Sequence, residues 1–394
     1  MVDLIDGAIR NGFSPNPPDL KTSRRVLSLS ALTSKGLDAT ATKPAPEIEA
    51  VLRTELRDGD FLISRSNTRE RVGFSAMFRG EVERCSYPDL MMRFRADPAK
   101  VVAEFLEQTL RGQTALSYLQ SAASGTSSSM VKLTGPVVAN TPVKIPPLPE
   151  QKKIAEILST WDGAVETTEK LLANAEAQKR ALTQQLLTGR MRLKGFGGPW
   201  LQKPLTEIVT RIQRKTDGGN HPILTISSTS GFIRQDEKYS RYMAGKSVEN
   251  YLLLHRGEFA YNKGNSKTFE FGCVFDLEEF ETGLVPHVYV CFRLNEGLSH
   301  RFFRALFSAD YLRPQLGRLV NTGVRNNGLL NISPAQFLGT RVPVPSVAEQ
   351  EALGTVLDAA AATVTQHRRS LRILKNEKSA LMQLLLTGKT RVTV

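Results

Sequence analysis

Two stretches of the chain place apolar or small residues at steps of three and four. In the first, Ile154, Leu158, Trp161, Val165, Leu172, Ala175, Leu182 and Leu186 share one face; in the second, Leu353, Leu357, Ala360, Val364, Leu371, Leu374, Leu381 and Leu385 do so. This spacing predicts two long helices with coiled-coil seams. Both put lysine at the same inward position, Lys179 and Lys378. Gly189 and Gly388 follow the last leucines, where glycine takes up the left-handed conformation that ends a helix. Ser346 and Glu349 have capping-box spacing at the second start, and Pro149 stands in the first turn of the other helix, where proline is tolerated. About 40 residues at 1.5 Å each predict rods of roughly 60 Å, too long to stand without a partner.

In the remaining segments short β-branched and aromatic runs recur. VLSLS (26–30), DFLISR (60–65), DLMMRFRA (89–96), ILTISS (223–228), EFAYN (258–262) and VYVCFRL (288–294) read as short strands between loops rich in Gly, Ser, Asn and Arg. A helical stretch follows in each half, VVAEFLEQTLRGQ (101–113) and SHRFFRALFSADYLRPQL (299–316). The fold class is therefore α+β.

The chain is written twice. Residues 145–193 align without a gap to 344–392: Glu150-Gln151 matches Glu349-Gln350 and the Leu-Leu-Thr-Gly at 186–189 matches that at 385–388, all 199 positions apart. At a spacing of 198, LRDGDFLISRSN (56–67) resembles LHRGEFAYNKGN (254–265), Phe94-Arg95 resembles Phe292-Arg293, and SGTSSS (124–129) faces TGVRNN (322–327). The segments divide into globular domains at 1–143 and 195–341 and helical segments at 144–194 and 342–394. The first rod leaves domain one for domain two and the second starts there, so side-by-side seams must be antiparallel, in a pseudo-twofold, circular arrangement. The first copy is short at its start, with nothing before Val2 to match Pro199-Trp200.

The sequence of 394 residues carries 52 Lys and Arg against 39 Asp and Glu, a formal charge of +13, which favours a polyanionic partner. No apolar run is long enough to span a bilayer and the start is not a signal sequence, so a cytoplasmic protein without a membrane partner is expected. Three scattered cysteines and five scattered histidines predict reduced thiols and no metal site. Cationic and amide side chains recur in corresponding loops: Arg65, Asn67, Arg69 and Arg71 in the first copy, Asn262, Lys263, Asn265 and Lys267 in the second. A further cluster is Ser127, Ser128 and Ser129 against Arg325, Asn326 and Asn327, and Arg24 precedes the first strand. Arg and Lys neutralise phosphates and read guanine, while Asn pairs with adenine edges, so these residues are candidates for contact with double-stranded DNA.

The paired PPLPEQKKIAEIL…LLTG and PSVAEQEALGTVL…LLTG segments, each preceded by GDFLISRSN or GEFAYNKGN, resemble the specificity subunit of type I restriction-modification systems. The likeness spans essentially the whole chain. It implies two target-recognition domains, each reading half of a split, asymmetric DNA site. The helices would serve as a spacer and as the docking surface for two modification (adenine methyltransferase) subunits, with up to two motor-nuclease subunits joining for cleavage. S-adenosylmethionine would then belong to the modification subunit, ATP and Mg to the motor-nuclease subunit, and no cofactor or catalytic residue to this chain. Val347 and Ala348, His367 in the second seam and the short first domain depart from the family pattern.

Two other classes compete. A DNA-modifying enzyme is weakly supported: Asn16-Pro17-Pro18-Asp19 ends on an acid where an aromatic would stack on a flipped base, and no glycine-rich strand-to-helix turn accompanies it. Gly264-Asn265-Ser266-Lys267-Thr268 fails P-loop spacing, and Glu278-Glu279, without a convergent basic partner, reads as a solvated loop. A helical scaffold with only non-specific DNA affinity is separated by salt: charge-driven binding decays steeply with salt, whereas base preference persists.

Overall fold

Most of the aromatic and β-branched runs become strands, whereas VLSLS does so only over Arg25–Leu27, before a 3-10 turn at Leu29–Ala31. The structure, a computed structural model, describes residues 1–16, 22–127, 130–238, 245–264, 266, 268–320 and 330–393. The chain condenses into two units, Met1–Glu169 with Arg369–Val394, and Lys170–Arg368. Each long helix is thus shared, one half built into each unit, where the sequence had implied separate helical segments.

In the first unit β1 (Ile5–Asn11), β2 (Asp60–Ser64), β3 (Ser66–Asn67), β4 (Ser75–Met77) and β5 (Met91–Ala96) precede the helices α1 (Ala103–Arg111) and α2 (Gln113–Ala122). The strands β6 (Ser124–Ser127) and β7 (Met130–Lys132) follow, and then the helix α3 (Leu148–Leu187). The antiparallel main sheet has the order β1-β5-β2-β4, and a second sheet the order β6-β7-β3. Phe61 pairs with Phe94 across β2 and β5, and the rings stack at 5.2 Å. Phe105, Leu106 and Leu110 of α1 cover that layer, together with Ile154 and Leu158 of α3 and Leu385 near the end of the last helix. Burial of such side chains stabilises by roughly 1.5–3 kcal/mol each, which is why the helix ends belong to the globular core.

The second unit holds β8 (Leu201–Pro204), β9 (Val209–Ile212), β10 (Phe259–Asn262), β11 (Cys273–Asp276), β12 (Val290–Leu294), α4 (His300–Ser308) and α5 (Arg313–Leu319). It continues with β13 (Arg341–Val344) and α6 (Val347–Leu386). Its main sheet runs β9-β12-β10-β11, the same order as in the first unit, with Phe259 paired to Phe292 and the rings 5.4 Å apart. Leu186, Leu353 and Leu357 of the long helices are buried against Phe302 and Phe303 of α4.

Along both seams Ile154, Leu158, Ala175, Leu186, Leu353, Leu357, Val364 and Leu385 are buried, and Trp161, Val165, Leu172, Leu182, Ala360, Leu371, Leu374 and Leu381 half-buried. The two inward lysines are not equivalent. Lys378 is half-buried and bonded to Asp162, whereas Lys179 is exposed. The position 199 residues after Asp162 is Ala361, which offers no carboxylate. Gly189 and Gly388 have φ of 70° and 67°, the left-handed helix ends their position predicted.

Candidate nucleic-acid interface and helix junctions

The Gly-Asp and Gly-Glu elements of the repeat form the turn that launches β2 and β10. Gly59 and Gly257 adopt φ of 83° and 82°, a conformation open to glycine without strain. One residue later, the buried carboxylate accepts the N–H three positions back: Arg57 to Asp60 at 2.8 Å, His255 to Glu258 at 2.7 Å. Arg93 and Arg95 pair with Asp60, and Arg214 with Glu258. The most recognisable residues of this element are therefore structural, and the candidate reading residues lie just beyond them.

Arg65 and Arg69 donate to the Asp89 carbonyl at 3.2 Å and the Gln120 carbonyl at 3.1 Å, and Arg69 is exposed. Arg71 lies in the same 68–72 turn, half-buried, its N–H bonded to the Thr68 carbonyl. This brings three candidate cations together beside β3. Asn67 does not join them: it is 7% exposed, donates to Ser64 Oγ at 3.3 Å and accepts the Thr68 N–H at 2.9 Å, so its amide frames the turn. Arg24 is likewise turned inward, bonded to Glu47 and Glu55 at 3.3 and 3.0 Å. A guanidinium spent on two carboxylates has lost its use as a phosphate contact. In the second unit Asn262 accepts the Gly264 N–H at 2.9 Å, and the Lys263 carbonyl accepts from Leu330 N–H at 3.0 Å. Ser127 closes β6; Ser128, Ser129, Asn265, Lys267, Arg325, Asn326 and Asn327 lie outside the described residues. Met130 and Lys132, outside the sequence candidates, are both exposed on β7 either side of the buried Val131, an alternation legible in MVK.

The junctions explain the repeated Glu-Gln. Gln151 accepts the Val102 N–H at 2.8 Å and donates to the Pro146 carbonyl at 2.8 Å; Gln350 accepts from Ser299 at 2.9 Å and donates to Pro345 at 2.8 Å. One amide ties the helix start both to the chain entering it and to the chain entering α1 or α4. Glu150 accepts from Arg391 Nε at 2.7 Å, and Glu349 from Arg192 Nε and Nη2 at 2.6 and 2.7 Å. These arginines stand three residues past Gly388 and Gly189. In the first unit the end of α6 therefore meets the start of α3; in the second the end of α3 meets the start of α6. Within each unit the paired stretches run antiparallel, as chain order required. Arg391 holds the Glu150 carboxyl below its ordinary range, and the bond to Glu349 raises Arg192.

The expected capping box is only half made. Ser346 Oγ accepts the Glu349 N–H at 3.4 Å, but the Glu349 carboxylate turns away to Arg192 and to the Trp200 indole N–H at 3.1 Å. A charge-assisted bidentate bond outcompetes a bond to a backbone N–H. The three cysteines are buried, and burial pushes the Cys85 and Cys291 thiols up to about 12, far from nucleophilic. No cluster of three His, Cys, Asp or Glu suited to a metal occurs among the described residues.

A family model described as the type I restriction modification DNA specificity domain matches residues 58–177, from the β2 turn into the second half of α3. A Methanocaldococcus jannaschii protein named for the type I restriction enzyme MjaX specificity subunit is 22% identical over 99% of this chain and 92% of its own length. The likeness to type I restriction enzyme specificity subunits thus runs along essentially the whole chain. The EcoKI specificity subunit of Escherichia coli is 26% identical over 47% of this chain and 40% of that protein. The structure of a type I restriction-modification system S subunit from M. genitalium aligns over 98% of this chain and 94% of that one, with a TM-score of 0.58 at 13% identity. At that identity the likeness to the S subunit speaks for the fold.

Proposed function

We propose that this chain is the non-catalytic, sequence-reading subunit of a type I restriction-modification complex. Its two target-recognition domains, residues 1–143 and 195–341, each read one half of a split, asymmetric DNA site. The helical segments at 144–194 and 342–394 join them and dock two modification subunits, with motor-nuclease subunits joining for restriction. S-adenosylmethionine then binds the modification subunit, and ATP and Mg the motor-nuclease subunit. The observation that carries this reading is the duplication: one sheet order, one Gly-acid turn and one Glu-Gln junction occur in both units, with the cations following the turn. Two readers and two docking sites on one chain fit a two-part target. The net charge of +13 supports a nucleic-acid partner. None of the described helices is long and apolar enough to cross a membrane, which fits work on cytoplasmic DNA.

The test is a map of methylated adenines in the host with and without the gene. Loss of a motif split by an unspecified spacer is the expected result; an unchanged map overturns the reading. In the assembled complex, Arg65→Ala or Lys263→Ala should weaken binding to that motif without changing assembly. A preference for the motif that survives raised salt separates this function from a charged scaffold.

A further inference from the structure

The strand β7 presents a side chain that the fold does not use. Val131 is fully buried in a cluster with Ile63, Met92 and Leu133, while its neighbours Met130 and Lys132 point to the opposite, exposed face. Met130 is 46% exposed. One exposed apolar residue is ordinary on any surface, so its setting decides the matter. Met130 pairs with Ser127 of β6, and Lys132 pairs with Ser124 of β6 on one side and Ser66 of β3 on the other. The Leu133 N–H bonds the Arg65 carbonyl at 2.8 Å, so the same assembly carries Arg65 and leads into the turn of Arg69 and Arg71. An apolar side chain thus stands beside Lys132 at the end of β7 that pairs with β6 alone, on an assembly that also carries Arg65.

We infer that Met130 reads a thymine by contact with its C5 methyl group; the inference rests on the DNA-reading function proposed above. The major groove of B-DNA, about 12 Å wide, admits a two-stranded ribbon, and thymine alone among the four bases presents a methyl there. Cations on the same assembly supply the charge complementarity that seats a ribbon against phosphates. Thioether side chains are unbranched and polarisable, and settle against a methyl without directional demands. Lys132, on the same face, contacts a phosphate and carries no base preference.

The test uses the full chain assembled with its modification subunits, on the motif found by methylation mapping. Each thymine in turn is replaced by deoxyuracil, which removes only the methyl. The wild-type complex should lose roughly three- to ten-fold in affinity at one thymine of the half-site read by the first unit. Met130→Ala should bind the unmodified motif more weakly by a similar factor and lose nothing further at that uracil, whereas Met130→Leu keeps most of the sensitivity. Lys132→Ala should weaken all sequences alike and lower the salt slope by about one. The inference is overturned if wild type and Met130→Ala respond alike to every uracil, or if that half-site contains no thymine on either strand. It is also overturned if 2-aminopurine at a base step brightens with wild type but not with Met130→Ala, since that reports a wedge between bases. A complex that shows no preference for any motif would instead defeat the proposed function itself.

Discussion

The stacked phenylalanine pair of the first unit and that of the second occupy the same place in the same sheet, yet their surroundings differ. Phe61 and Phe94 stack within a layer of aliphatic neighbours and Phe105. Phe259 and Phe292 stack within an aromatic cage: Phe307 lies edge-on to both at 5.5 and 5.8 Å, His300 is 4.8 Å from Phe259, and Phe337 is 5.9 Å from Phe292. A duplicated sheet keeps its strand order and its central contact while the shell around it drifts. Strand order depends on backbone pairing and on the alternation of faces, which many sequences satisfy, and the shell only has to fill volume.

The largest effect that tests this contrast is truncation of the shared pair. Phe259→Ala and Phe61→Ala should each cost about 3–5 kcal/mol, with Phe259→Ala at the upper end because three aromatic neighbours lose contact. Hydrogen exchange read peptide by peptide assigns each loss to its own unit. Equal losses, or a greater one at Phe61, would show that the cage adds nothing.

The same contrast separates what was legible in the sequence from what was not. The long helices, their glycine ends, the strands and the duplication could all be read, because each rests on a local period or on self-similarity. The fate of particular polar residues could not. Asn67 resembles an adenine reader until its amide is seen to bond Ser64 and Thr68, and Arg24 resembles a phosphate contact until Glu47 and Glu55 are found beside it. Both partnerships depend on tertiary placement, which amide or guanidinium chemistry does not reveal. Arg192 and Arg391 were in plain view at matching places, but their partners lie 157 and 241 residues away in sequence.

A middling effect should come from those clasps. Glu349 is held by Arg192 and Trp200, and the Arg192 guanidinium lies 5.2 Å from the Trp200 ring. Glu150 is held by Arg391 and the Val392 N–H, and the Arg391 side chain is 67% exposed against 23% for Arg192. Glu349→Ala should therefore lower the melting temperature by several degrees and loosen the second unit, because it strands a partly covered guanidinium and an indole N–H. Glu150→Ala should cost less, since water reaches Arg391. Its contribution also depends on pH. A carboxyl held below its ordinary range stabilises above about pH 4.3 and loses that contribution as acidification carries the solution through its lowered value. If Glu150→Ala melts lower than Glu349→Ala, the two junctions differ in the opposite sense.

The smallest effect has the opposite sign with pH and belongs to the second unit alone. Asp310 links α4 to α5 with φ of 53°, and burial raises its carboxyl to about 6, with Glu270 adding to the rise and Arg313 opposing it. Below about pH 4 the folded and unfolded chains both keep the proton. Between about 4 and 6 the unfolded chain has released it while the folded one has not, so stability falls as pH rises and levels off above 6. The corresponding link of the first unit is Gly112, which has no group to titrate. Asp310→Asn keeps the shape and tolerates the left-handed backbone, and it should abolish this slope while raising the melting temperature at neutral pH by about 2 °C. Exchange of the α4 and α5 amides measured at pH 4.5 and 7 gives the reading. A slope that persists in Asp310→Asn would place the titration elsewhere, with the buried Asp276 beside His300 as the next group to replace.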